Sequence, residues 1–131
     1  MIIRTVTMDD LNEVVELESD AFKMTKKQTE QDMIGRIENY PDTFLVAQED
    51  GKVIGHIFGP AFNKRYIEDE LYFENHPNQK DDRYQMVLSL AVLPEYRKQG
   101  VATKLIEAIA QEGRKQTVSY THLTLPTTSR V

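Results

Sequence analysis

The sequence predicts an α/β fold, a mixed central sheet flanked by helices, and three observations predict it. Short β-branched stretches alternate with segments whose apolar residues recur at helical spacing. Two strand-like runs are joined through Asp50-Gly51, a dipeptide suited to a tight hairpin turn. Late in the chain the apolar run QMVLSLAV, residues 85–92, gives way within a few residues to an amphipathic helix.

Each element has its own justification. IIRTV, residues 2–6, is short and β-branched, as a strand should be. TMDDLNEVVELESDAF follows, with Thr7 as a cap, acids in the first turn, and Leu11, Val14, Val15 and Leu17 at helical spacing. A second helix is predicted over Thr29 to Asn39, where Met33, Ile34 and Ile37 share a face and Tyr40-Pro41-Asp42 ends it. FLVAQEDGKVIGHIFG, residues 44–59, supplies the two hairpin strands. Residues 60–83 are polar and charged and too long for an ordinary connection, which predicts a functional loop with a short helix at IEDELYF. QMVLSLAV reads as a central strand buried on both faces, and Gly100 to Gln116 as a helix with Leu105, Ile106 and Ile109 inward.

Bulk properties narrow the function. At 131 residues the chain makes one domain with a real core. It is 40% hydrophobic and 28% charged, and no apolar run approaches the roughly 20 residues of a membrane span. MIIRTVTMDD lacks the apolar core of a signal peptide, and the absence of cysteine removes disulfides, thiolate nucleophiles and cysteine metal sites; a cytoplasmic location is expected. Three scattered histidines without a spaced pair predict no metal site. A net charge of -5 argues against nucleic-acid binding, even through Arg97, Lys98, Lys104, Arg114 and Lys115, and leaves room for a local anion site.

That anion site falls at the joint in LSLAVLPEYRKQGVATKLIEAIA, residues 88–110. A buried strand, a turn and a helix start aim free N–H groups outward, where the helix dipole adds partial positive charge. Gly100 lets a backbone approach an anion closely, small Ala102 keeps the next position open, and Arg97 and Lys98 add charge at the rim. The chain has neither the P-loop nor the dinucleotide-binding glycine spacing. A basic, solvated turn with a glycine chosen for backbone reasons explains the same six residues.

Val92-Leu93-Pro94-Glu95-Tyr96-Arg97-Lys98-Gln99-Gly100-Val101-Ala102 resembles the acyl-coenzyme A signature of the GNAT superfamily of N-acetyltransferases, and the order of elements over residues 1–116 resembles the family's. The segment DELYFENHPNQKDDRYQMVLSLAVLPEYRKQGVA resembles, more particularly, the bacterial branch related to serotonin N-acetyltransferase, enzymes acting on small amines. The resemblance implies acetyl-CoA as acetyl donor. Its pyrophosphate would sit on the amides of Arg97, Lys98, Gln99, Gly100, Val101 and Ala102, with Thr103 as a further donor. Its pantetheine would pair along Leu90, Ala91 and Val92, and an N–H near Leu90 would polarise the acyl oxygen while a neutral amine attacks directly.

An amine with pKa near 10 also needs a base. In the animal serotonin enzymes two histidines precede the signature; Met86 and Leu88 stand at the corresponding positions here. The candidates that remain are Glu68, Asp69 and Glu70 on the loop and His56 on the hairpin, each of which also reads as solvated or structural; His76 is weaker. Tyr66, Tyr72 and Phe73 could line an amine pocket or pack beneath the loop.

After Gln116 the chain turns to TVSYTHLTLPTTSRV, where the family would continue with a strand, a helix bearing a general-acid tyrosine, and closing strands. SYTHLTLPTT resembles translated sequencing-adapter sequence, so residues 117–131 are expected to be a non-native tail, or else a makeshift fifth strand. The expected domain is therefore an incomplete one over 1–116, truncated after the third main helix, with activity impaired. The rival to an enzyme is a non-catalytic coenzyme A-binding or protein-interaction domain of the same architecture. The GNAT resemblance also makes a homodimer an expectation.

Overall fold

The computed structural model describes the backbone of residues 1–62, 84–85 and 87–115 and, apart from 61, 62, 84, 85 and 113–115, their side chains. The readings placed on Tyr66, Glu68, Asp69, Glu70, Tyr72, Phe73, His76 and Met86, the IEDELYF helix and the tail 117–131 lie outside the described residues.

Strand β1 (Ile2–Thr5) enters helix α1 (Leu11–Phe22) through a 3₁₀ turn at Met8–Asp10. Asp10 does more than face the helix dipole. Its carboxylate accepts the Thr7 N–H at 2.9 Å and both terminal nitrogens of Arg4 at 2.8 Å, pinning strand to helix. The Arg4 hydrogen bond holds the Asp10 carboxyl below the usual range, against burial that would raise it. Helix α2 (Lys26–Asn39) starts earlier than the predicted Thr29, because Thr25 caps it: the Thr25 hydroxyl accepts the Gln28 N–H.

Strands β2 (Phe44–Glu49) and β3 (Lys52–Phe58) form the predicted hairpin. Asp50 and Gly51 both take left-handed φ, 51° and 78°, as a two-residue turn between twisted strands requires. The short pair β4 (Ala61–Phe62) and β5 (Tyr84–Gln85) brackets the predicted loop, and Gln85, predicted to begin the strand 85–92, belongs instead to β5. Strand β6 (Ser89–Val92) and helix α3 (Val101–Lys115) complete the described elements.

The sheet runs β1-β2-β3-β6, and every described pair in it is antiparallel. β6 is buried on both faces as predicted, yet among the described residues it is an edge strand, not a central one. Side chains alternate between two cores. Phe44, Val46 and Phe58 pack with α1 and α2; Leu45, Ala47, Ile57, Leu90 and Val92 pack with Val101, Leu105 and Ile109 of α3. Gly55 lets α3 approach, since a Cβ there would meet the Ala91 carbonyl at 3.1 Å and Val101 and Leu105 at 3.4 Å. No helix among the described residues is long and apolar enough to cross a membrane.

Candidate functional site

A cavity of about 320 Å³ opens at the head of α3, where β6 gives way to the helix. Val92, Tyr96, Arg97, Lys98 and residues 100–103 line it. Every residue predicted to hold the cofactor is therefore at this cavity except Leu90 and Ala91, which lie farther along β6, and Gln99, whose amide nitrogen bonds the Glu95 carbonyl at 2.9 Å. Lys98 and Gly100 have φ of 62° and 83°. A turn that alternates left-handed with right-handed residues can gather backbone N–H groups into a concavity for anions. Gly100 also caps α3, its carbonyl accepting the Lys104 N–H at 3.1 Å, so Val101, Ala102 and Thr103 keep N–H groups with no carbonyl one turn back.

A Cβ built on Gly100 meets nothing within 4 Å. The glycine is therefore needed for its φ, and the space beside it is open to a ligand, so a phosphate cradle fits this chain. Arg97 is bound differently from the prediction. Its amide turns to the Pro94 carbonyl at 3.4 Å, and its Nε donates to the Val92 carbonyl at 3.0 Å, so the side chain ties the loop to the strand end instead of standing free at the rim.

Hydrogen-bond alternation separates the three strand residues. Leu93 N–H reaches the Ile54 carbonyl at 2.8 Å, which turns the backbone groups of Ala91 toward β3 and those of Leu90 and Val92 toward the open edge. Just before them the strand bulges. Leu88 N–H goes to the Phe58 carbonyl at 2.8 Å while Ser89 pairs with the same Phe58, so two residues stand opposite one. Leu88 thereby joins the core under α1 and α2, the side on which Ser89 also lies.

Ser89 meets a buried polar cluster there. Its hydroxyl donates to Glu18 Oε1 at 2.5 Å, Arg36 donates to Glu18 Oε2 at 3.2 Å, and His56 Nε2 lies 3.2 Å from Glu18 Oε1 without aiming an N–H at it. Arg36 also stacks 4.6 Å over the Phe58 ring. Burial would raise the Glu18 carboxyl, but His56, Arg36 and Ser89 outweigh it and hold it at about 2. The cluster contains serine, histidine and glutamate in an order that does not make a nucleophile: the hydroxyl faces a carboxylate held as the anion, not an imidazole.

His56 is 0% exposed. A fully buried ring supports its neighbours and does not touch an amine directly, so His56 would serve as a base only through water. Glu68 and Glu70 lie outside the described residues. Among the described residues no three acidic or histidine side chains gather to hold a metal.

Sequence reasoning missed Glu18, Arg36, Ser89 and Tyr96. Signals for two of them existed: Glu18 continues the apolar face of Leu11, Val14 and Val15 at helical spacing, and Ser89 is the one hydroxyl in an otherwise apolar strand.

Known proteins resemble this chain in sequence and fold. The chain is 33% identical over 109 residues to an uncharacterized N-acetyltransferase of Methanocaldococcus jannaschii, across 83% of the chain and 56% of that relative. It is 25% identical over 117 residues to "Probable hydrolase YhcX" of Bacillus subtilis (strain 168), across 82% of the chain and 22% of that protein. The chain thus spans about half the length of one curated relative and about a fifth of the other. In fold it matches the aminoglycoside N-acetyltransferase AAC(6')-Iy solved in complex with CoA, at a TM-score of 0.70 and 17% identity, across 96% of this chain and 77% of that one. The sequence profile of the acetyltransferase (GNAT) family matches residues 11–130, and the chain belongs to that family.

Proposed function

We propose that the chain is an acetyl-CoA-dependent N-acetyltransferase acting on a primary amine of a small molecule. The observation that carries this reading is Gly100: left-handed, open on its Cβ side, at the head of α3, and next to the strand end where Leu90 and Val92 turn their backbone groups outward. Amides of Lys98 and of residues 100–103 would hold the pyrophosphate, the Leu90 carbonyl and the Val92 N–H would receive the pantetheine amides, and the Leu90 N–H would polarise the acyl oxygen. When bound, acetyl-CoA supplies an activated thioester. The protein contributes position and electrostatics.

The CoA complex of the aminoglycoside enzyme supports the donor and the amine class. The resemblance of residues 69–102 to the serotonin N-acetyltransferase branch supports an arylalkylamine as acceptor, and Glu68 and Glu70 stand as its bases. The cysteine-free composition supports a cytoplasmic enzyme, and the family resemblance supports a homodimer. A second reading, a non-catalytic CoA-binding domain, is favoured by one observation: Leu88, at a position where the serotonin enzymes carry a histidine, is an apolar residue buried in the core under α1 and α2.

Isothermal titration of acetyl-CoA tests the first step. The parent chain should bind with micromolar affinity, and Gly100→Glu should weaken binding by at least about a hundredfold, because its carboxylate fills the cradle with like charge. Equal binding by both chains overturns the site. Binding without turnover across phenylethylamine, tryptamine and spermidine favours the second reading.

A further inference from the structure

We infer that Glu18 and Ser89 are positioning residues: they hold the strand bulge that aims the Leu90 amide, and so tie α1 to the acyl site. The inference rests on the reading of the β6 edge given above and adds residues that touch neither donor nor acceptor. Three observations carry it.

The bulge is asymmetric in its support. The Leu88 N–H and the pairing of Ser89 both draw on Phe58 of β3, which among the described residues fixes one side of the strand. On its helix face, the Ser89 hydroxyl is fixed by Glu18, 71 positions earlier in the chain. A bulge without such an anchor can slip by one residue, and a one-residue slip exchanges the backbone groups that face β3 for those that face the open edge. Leu90 N–H would then turn inward.

The anchor is itself rigid. Glu18 is 5% exposed, and its two oxygens accept from Ser89 of β6 and Arg36 of α2, with the His56 ring of β3 3.2 Å away. Arg36 is braced in turn over Phe58, the residue opposite the bulge. The cluster therefore grips both strands at the same point.

Finally, the groups fit no direct chemical role. Ser89 is 2% exposed and His56 0%, and Glu18 already holds its hydrogen-bond donors as an anion, so none is free to take a proton from an amine. A buried, charged cluster beside a bulge specifies a geometry.

The test uses the full chain and Ser89→Ala, which removes the hydroxyl and leaves the Glu18 to Arg36 pair. In the ligand-free chain, Leu88 amide hydrogen exchange should quicken about tenfold, the worth of roughly one hydrogen bond, while amides of β1 and β2 keep their rates. With acetyl-CoA carrying ¹³C at the thioester carbonyl, the parent should move the carbonyl infrared band to lower frequency; Ser89→Ala should lose that displacement at unchanged Kd. A purely structural role would not separate the band from the Kd. Unchanged Leu88 exchange, or a full band displacement in the variant, overturns the inference. A parent chain that binds no acetyl-CoA overturns the functional reading instead, and Leu88 exchange then decides the link between α1 and the bulge by itself.

Discussion

The cavity at the head of α3 and the Glu18 cluster are both polar sites against β6, and they are built in opposite ways. The first is open to solvent and assembled from one short run, residues 92–103, largely through backbone N–H groups. The second is buried and assembled from four elements, with partners 18 and 71 positions apart. A backbone site depends on φ and on space, so it tolerates most side chains nearby. A buried charge site depends on every member at once, because each compensates the desolvation of the others.

The largest expected effect breaks the second site. Glu18→Ala leaves Arg36 and His56 without their carboxylate and should lower stability by about 3–5 kcal/mol, read as a shift of the urea midpoint. A loss below about 1 kcal/mol would place Glu18 among surface-like ion pairs and erase the contrast.

Acid probes the same group without mutation. Glu18 sits at about 2 in the folded chain against 4.5 for a free glutamate. Protonation thus favours the unfolded chain: the contribution is complete above pH 4.5 and is lost as pH falls toward 2. It amounts to about 3 kcal/mol. Stability measured across that window should fall in the parent and much less in Glu18→Gln; parallel curves for the two chains would refute the assignment.

The smallest effect sharpens the contrast through two glycines. Gly55→Ala presses a methyl against the Ala91 carbonyl, Val101 and Leu105 and should cost about 1–3 kcal/mol of stability. Gly100→Ala meets no atom and pays only for its left-handed φ, about 1 kcal/mol, yet it intrudes on the cradle and should weaken acetyl-CoA binding more than Gly55→Ala does. Calorimetry and thermal unfolding on both variants check the crossing. Matched ratios of affinity to stability in the two variants would show that Gly100 has no special place at the ligand.

Much of the fold was legible because its signals are local. The hairpin follows from Asp50-Gly51, α1 from Leu11, Val14, Val15 and Leu17, and the α3 head from Gly100 beside the basic pair. The start of α2 was misread because Thr25 and Thr29 are both competent caps, and only the Gln28 N–H to Thr25 bond distinguishes them. The sequence left His56 as either a base or a structural residue because a strand histidine can lie on either face, and the face is fixed by the register with Val46 and Ala91.

By itself, then, the sequence determined most of the elements, the turn and the glycine-headed joint before α3, since dihedral preference and capping act within a few residues. Tertiary structure alone decided that Leu90 and Val92, not Ala91, present backbone to the open edge, and that Ser89 finds Glu18. Those outcomes depend on a bulge opposite Phe58 and on packing across 71 positions, where the free energy belongs to burial and register and leaves no local trace.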